Sequence, residues 1–250
     1  MRFLRCVHAE FLLVVPRLTR TRLGMTLLVL GTTLVWLSAR GFDPLTVTLQ
    51  AGALGAILGA VAMAGDETDR ALVKRGHRTS FVATGQTGIF IEGWGIAVDA
   101  VVADFIAGAA EQLVLQGAKD NDIVLVEGQG SLIHPGYSGV TLGLLHGSCP
   151  DALILCHQVT RDYIGDYHGR EPWVKIPSYV EMIDIYESAA QPVHPTKVIG
   201  ICLNTYDMDE SAAREAVAKA AEETGLPATD PVRFDSDVLV DAIIGARATI

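Results

Sequence analysis

Glu127 closes the apolar run Ile123-Val124-Leu125-Val126 and is followed at once by Gly128-Gln129-Gly130. A carboxylate at a strand end beside glycines is placed to hold Mg²⁺, directly or through water, because that ion takes one or two carboxylates plus phosphate oxygens. The same carboxylate can instead cap its loop by accepting backbone N–H groups. Gln86, Thr87 and Gly88 follow another apolar run, TSFVAT. They offer side-chain and backbone donors to an anionic or carbonyl-bearing ligand, as an ordinary strand-to-helix loop also would. Three imidazoles follow: His134 in the irregular run SLIHPGYSG, where Tyr137 is close by, His146 in LLHGS and His157 in LCHQ. Histidine alone titrates near neutrality without perturbation, so His134 and His146 are the candidates for a general base. The alternative for each is a structural or solvent-facing ring, and spacings of 12 and 11 match no zinc motif. Asn204, with Thr205 after it, ends the run KVIGICLN. An amide there can pair with a purine-like ring or bond loop backbone.

The elements that must position these residues alternate between two periods. Residues 66–76 read as a short helix stopped by Gly76. Residues 79–84, 122–127, 152–156 and 197–203 read as strands. Val98, Val101, Val102, Phe105, Ile106 and Ala109 fall at the spacing of one core-facing helical stripe. Ser178 with Glu181 forms a capping box for a helix through Met182, Ile185 and Tyr186. A further helix opens near Asp209 and stops at Gly225, with Pro227 just beyond. Strands separated by helices predict an α/β fold with a doubly wound, mostly parallel sheet, since parallel neighbours require crossovers and these are usually helices. In such sheets ligands sit at the carboxyl edge. That is where GQTG, EGQGS, CHQ and NT all fall.

The chain of 250 residues is half hydrophobic and only 19 % charged, which excludes a disordered chain. Four cysteines without a C-x-x-C pair suggest neither a zinc site nor a disulfide framework and fit a reducing, cytoplasmic setting. A net charge of −10 argues against nucleic acid as a partner. The charge is unevenly spread: up to Gly65 six Lys and Arg face two acids, a balance of +4, which leaves −14 for the remainder. Two parts are therefore expected, residues 1–65 and residues 66–250. Within the first, 23–39 and 45–65 carry no charged residue. Each is near the roughly 20 residues that span a bilayer as a helix. With basic residues on both flanks they read as a helical hairpin touching a membrane through residues 23–65, both ends cytoplasmic, with Gly55 and Gly59 as a close-packing step. The competing readings make both runs core segments, or the first an uncleaved signal-like anchor.

Several motifs are absent from the 250 residues. There is no G-x-x-x-x-G-K-[ST] phosphate loop, no G-x-G-x-x-G after a strand and no G-x-S-x-G nucleophile elbow. The residues alone therefore define an α/β ligand-binding domain.

The runs RGHRTSFVATGQTGIFIEGWGIAVDAVVADFIAGAAE, IVLVEGQGSLIHPGYSGVTLGLLHGSCPDALILCH, VIGICLNT and ETGLPATDPVRF together closely resemble the C-terminal P-loop domain of the D-glutamate N-acetyltransferase family. The resemblance covers about residues 66–245. It implies a P-loop fold similar to that of dethiobiotin synthetase, normally joined to a Rossmann-like N-terminal domain. It also implies acetyl transfer from acetyl-CoA to the amino group of D-glutamate, and a dimeric or higher homo-oligomer. In the wider P-loop class the acidic strand end matched by Glu127 serves Mg²⁺ and phosphate, and the Asn matched by Asn204 contacts a nucleotide base. Gln86, Thr87, Gly88, Gly128, Gln129 and Gly130 are then expected around acetyl-CoA or a nucleotide. The family carries its phosphate loop just upstream of the helix matched by ETDRALVKRGHR, where this sequence has GALGAILGAVAMAGD. A misread or truncated N-terminus would produce that change, and so would fusion to a membrane anchor. The expected function is accordingly a D-glutamate N-acetyltransferase-like domain, truncated and impaired. The competing functions are a non-catalytic, membrane-tethered ligand-binding or assembly module and an ATP-dependent ligase.

Overall fold

A computed structural model describes residues 61–164 and 174–248. The described residues belong to one compact unit, Gly59–Ile250. The candidate spans 23–39 and 45–65, with Gly55 and Gly59, lie outside the described residues except for 61–65. Among the described residues no helix is long and apolar enough to cross a membrane.

Residues 61–74 form helix α1. It leads into strand β1 (Thr79–Val82), the short helix α2 (Gln86–Glu92), two 3₁₀ turns (Val98–Ala100 and Ala103–Phe105), helix α3 (Ile106–Gly117) and strand β2 (Ile123–Val126). Helix α4 (Ser138–Ser148) then crosses to β3 (Ala152–Gln158), and a small pair, β4 (Tyr163–Ile164) and β5 (Val174–Lys175), precedes α5 (Tyr179–Ala190). Strand β6 (Lys197–Asn204), α6 (Glu210–Thr224), β7 (Ala228–Thr229) and α7 (Asp237–Arg247) complete the order.

The parallel α/β character is present, but the hydrogen-bonded strands fall into separate groups. β1 and β2 pair in parallel, Thr79 opposite Ile123 through Val82 opposite Val126. β3, β6 and β7 form a second parallel group in that order, and β4 with β5 is antiparallel. The three-stranded group is covered on both faces, as the doubly wound pattern requires. Successive residues of a strand point to opposite faces. Ile201 and Leu203 pack with Met182 of α5 and Ala220 of α6, while Cys202 between them packs with Ala64 of α1 and Leu239 of α7. Around the two-stranded group, Val82 packs with Val98, Ala110 and Leu113 of α3, and Leu144 of α4. Helix α1 joins the groups, its Gly65 lying against Phe81 of β1 and its Ala64 against the β6 cluster. The loop leaving β2 also crosses between them: Ile133 packs on the β6 core, and the Leu132 N–H donates to the Tyr186 hydroxyl.

The local signals act as expected at several ends. Ser178 and Glu181 form the capping box of α5, the Ser178 N–H donating to Glu181 Oε2 at 2.9 Å. Asp209 caps α6 by accepting from the Ala212 N–H at 2.9 Å, and Gly225 stops that helix in the left-handed region. The stripe from Val98 to Ala109 is corrected. Only its end belongs to α3, and Val102 and Phe105 are 66 % and 67 % exposed. The reason lies upstream, where the Ile96 and Val98 N–H groups donate to the Ala83 and Thr84 carbonyls. Those bonds hold the chain against the end of β1, and two 3₁₀ turns follow before the α-helix starts at Ile106.

Candidate functional site

β1 and β2 end level with one another, and the chain beyond them carries amide donors that no strand partner can satisfy. Glu127 supplies the acceptor. Its side chain is 4 % exposed, and Oε2 accepts the Thr84 N–H at 2.8 Å and the Gly85 N–H at 2.9 Å. The Thr84 hydroxyl returns a bond to the Glu127 carbonyl at 2.8 Å. The Gln129 amide nitrogen donates to the Thr84 carbonyl and hydroxyl, and the Thr141 hydroxyl of α4 donates to the Gln129 carbonyl at 2.7 Å. These bonds lace the two loops and the first turn of α4 into a clasp. Gly88 completes it, because a Cβ at that position would overlap the Glu127 carboxylate. Burial pushes the Glu127 carboxyl above its ordinary range, opposed by the two amide bonds from Gly85 and Thr84.

Both amide bonds land on Oε2, so Glu127 Oε1 has no hydrogen-bond partner among the described residues. The bonding seen is that of a loop cap. Among the described residues no three His, Cys, Asp or Glu gather into a metal-holding group. This donor set fits Mg²⁺ only through one Glu127 oxygen, with the rest of the octahedral shell coming from phosphate and water.

Gln86 opens α2 and is exposed; its amide donates to both carboxylate oxygens of Asp99, at 3.3 and 3.1 Å. Thr87 is half-buried in the same turn. Gly128 and Gly130 flank Gln129 on the other loop, and Gly130 turns at φ 65°. Gln86, Thr87, Gly88, Glu127, Gly128, Gln129 and Gly130 are therefore brought together at the carboxyl ends of β1 and β2.

His134 lies farther along the loop leaving β2, its ring 4.5 Å from that of Tyr137. Its Nδ1 accepts the Gly136 N–H at 3.0 Å. A neutral ring bonded in this way carries its proton on Nε2 and presents a donor there. His146 is not brought to this edge. It lies in the last turn of α4, the end that leads into the start of β3, and its Nε2 is 2.9 Å from the Ala189 carbonyl of α5. This is a tie between two helices, and it separates His146 from the loops it was expected to serve. His157 stands near the carboxyl end of β3, edge-on to Tyr179 with centroids 5.4 Å apart. Burial holds its pKa below the ordinary value, with Arg161 adding to the effect and Asp162 opposing it.

Asn204 ends β6 in the other strand group, opposite Gln158 of β3, and its Oδ1 accepts the Tyr206 N–H at 3.2 Å. It belongs to a second clasp. Asp230 Oδ2 accepts the Thr205 N–H at 2.9 Å and its hydroxyl at 2.7 Å, while Oδ1 accepts the Val232 and Arg233 N–H groups. The Arg233 guanidinium closes the ring on the Thr205 and Met208 carbonyls, each at 2.7 Å. Thr84, Asp99, Asp230 and Arg233 were not singled out from sequence. An Asp one residue before a proline in ATDP was a turn signal that could have drawn attention to Asp230.

Known proteins share much of this sequence and fold. Residues 62–240 match the model of the DUF1611_C P-loop domain, described as a domain of unknown function. The chain is 43 % identical over 176 residues to a protein from Tritonibacter scottomollicae named D-glutamate N-acetyltransferase, covering 70 % of this chain and 51 % of that one. It is 40 % identical over 174 residues to a protein of the same name from a Pseudoalteromonas species, covering 69 % and 51 %. A solved DUF1611 family protein from Anabaena variabilis is similar at a TM-score of 0.69 and 46 % identity, over 75 % of this chain and 54 % of that one. The chain thus spans about half the length of the curated relatives it matches. Since the family model covers well over half of the sequence and takes in both clasps, this chain belongs to the DUF1611 family through its P-loop domain.

Proposed function

We propose that this chain acts in D-glutamate N-acetylation, moving the acetyl group of acetyl-CoA to the amino group of D-glutamate. The observation that carries this reading is the 43 % identity to a protein named for that activity, in a family match that includes the whole Glu127 clasp. In the transfer a C–N bond forms and the C–S bond breaks, releasing CoA as its thiol. The amine must be uncharged to attack, and a donor must meet the thioester oxygen as charge grows on it. We place the reacting groups at the carboxyl ends of β1 and β2, with Gln86, Thr87 and Gly88 on one side and Gly128, Gln129 and Gly130 on the other. His134, presenting Nε2–H, is assigned to the thioester oxygen; to serve as the base it must first release the Gly136 bond. Asn204 is assigned to a purine ring of the donor substrate through the amide nitrogen that its Tyr206 bond leaves over. Glu127 Oε1 is the atom that would hold Mg²⁺ if phosphate brings the ion.

We further propose that the 250-residue chain alone is impaired in holding acetyl-CoA, because it encodes no G-x-x-x-x-G-K-[ST] cradle. The test is to incubate the chain with millimolar acetyl-CoA and either D- or L-glutamate, following thiol release and N-acetylated product. Product from the D-isomer, with little from the L-isomer, is expected. A folded chain that yields none from D-glutamate, under conditions where a full-length relative does, contradicts the reading.

A further inference from the structure

Cys156 and Cys202 are direct cross-strand partners in the parallel pairing of β3 with β6. Parallel neighbours in register send their side chains to the same face. Strands lie roughly 4.8 Å apart, inside the window of about 4.4–6.8 Å between Cα atoms that a disulfide accepts. The register sets Cys156 directly opposite Cys202, so the two side chains are neighbours on one face, and the Cys156 thiol donates to the Ile154 carbonyl at 3.8 Å. Their settings differ: Cys156 is exposed, whereas Cys202 is buried against Ala64 and Leu239. Interaction with the Cys202 thiol lowers the Cys156 pKa against the opposing effect of burial, and the same interaction, with burial, raises that of Cys202. An accessible sulfur that ionises more readily, backed by a second thiol within bonding reach, is the arrangement of an oxidisable pair. Cys149 has no such partner among the described residues. It is exposed, and its sulfur bonds only to the His146 carbonyl among the described residues.

We propose that Cys156 and Cys202 form an oxidation site for peroxides, with Cys156 oxidised first and Cys202 resolving it into a disulfide between β3 and β6. The Cys156 thiolate attacks one oxygen of hydrogen peroxide, the O–O bond breaks, and Cys156 becomes a sulfenic acid with release of water after proton uptake. The Cys202 sulfur then attacks Cys156 Sγ, the S–O bond breaks, and a second water leaves. In total two thiols and one peroxide give one disulfide and two waters. The bond would pin β3 to β6 two residues before Gln158 and Asn204, at the carboxyl ends of the two strands.

The test is made on the reduced, unmodified chain. It is treated with stoichiometric hydrogen peroxide, unfolded, alkylated, and digested with trypsin and with a protease that cuts before aspartate, which separates Cys149 from Cys156 at Asp151. The expected result is a cross-linked peptide pair carrying Cys156 and Cys202, two hydrogens lighter than the sum of its parts and split by dithiothreitol. Cys149 should remain alkylated. In Cys202→Ala, dimedone should trap the sulfenic acid on Cys156. The proposal is overturned if Cys156 and Cys202 stay fully alkylated while Cys149 is oxidised. It is equally overturned if Cys156 advances to sulfinic acid beside an intact Cys202 thiol, or if it pairs with Cys149 or Cys6. The mapping on the unmodified chain decides the matter even if the Cys202 variant does not fold.

Discussion

At the scale of single residues, Glu127 carries more of the local structure than its type alone suggests. Its Oε2 satisfies two buried amides at once, so truncation to alanine leaves the Thr84 and Gly85 N–H groups unpaired. An unmet buried donor costs about 1–3 kcal/mol, and Glu127→Ala is expected to lose at least about 2 kcal/mol in a urea titration. Glu127→Gln keeps one acceptor oxygen and should lose less. The two variants also separate through pH. The native Glu127 carboxyl titrates above its ordinary value of 4.5, so the folded state holds that proton more tightly than the unfolded chain. Stability from this group is therefore greatest in acid and declines as pH rises from the ordinary range through the raised value. The stability difference between wild type and Glu127→Gln should shrink over that window, and unfolding midpoints across it measure the slope. His157 works in the opposite direction. Its folded pKa lies below 6.5, so protons favour the unfolded chain, and stability is lost as pH falls below that value. An NMR titration should place the His157 midpoint under 6.5.

Elements are where close approach decides the packing. Gly147 of α4 lies on the backbone of Ala107 in α3, and Gly143 one turn earlier lies against Ile106, so a Cβ at 147 would overlap the Ala107 carbonyl. Gly147→Ala adds helix propensity yet must push α3 and α4 apart. Overpacking of this kind costs about 1–3 kcal/mol, and a fall in thermal midpoint, not a rise, is the expected outcome. The elements were legible in the sequence where the signal is local. The Ser178–Glu181 box and the Asp209 to Gly225 helix are stated by residue types within a single turn, and the structure has both. The stripe from Val98 to Phe105 misled because periodicity says nothing about competing acceptors. The carbonyls of Ala83 and Thr84 accept the Ile96 and Val98 amides and tie this stretch to the end of β1, and two 3₁₀ turns follow where a continuous helix was expected. That the loops of the candidate site meet at one edge was legible, since GQTG and EGQG follow apolar runs. Thr84, Asp99, Asp230 and Arg233 were hidden because their roles are bonds across 13 to 45 residues of chain. His146 illustrates the same limit: a ring's type is visible in the sequence, whereas its attachment to Ala189 is a product of helix packing.

At the scale of the whole molecule, the fold supplies two laced strand ends, one built on Glu127 and the other on Asp230, while the 250 residues encode no phosphate cradle. Each backbone bond to a charged oxygen is worth about 1.5–3 kcal/mol, so under the impairment proposed above the loss of three would weaken acetyl-CoA binding by about three decades or more. The KM for acetyl-CoA of this chain is accordingly expected to exceed that of a full-length relative by roughly 10³-fold, as steady-state thiol release with D-glutamate in excess will measure. The most direct measurement of the account is the conversion of D-glutamate to its N-acetyl form by saturating acetyl-CoA, run side by side on wild type, Glu127→Gln and Glu127→Ala with folding verified for each. Activity in the wild type, reduced in the glutamine variant and lower by about 10²-fold in the alanine variant, is the result expected of a transfer site organised by the Glu127 clasp. Equal activity in all three, or none in a folded wild type, would contradict it.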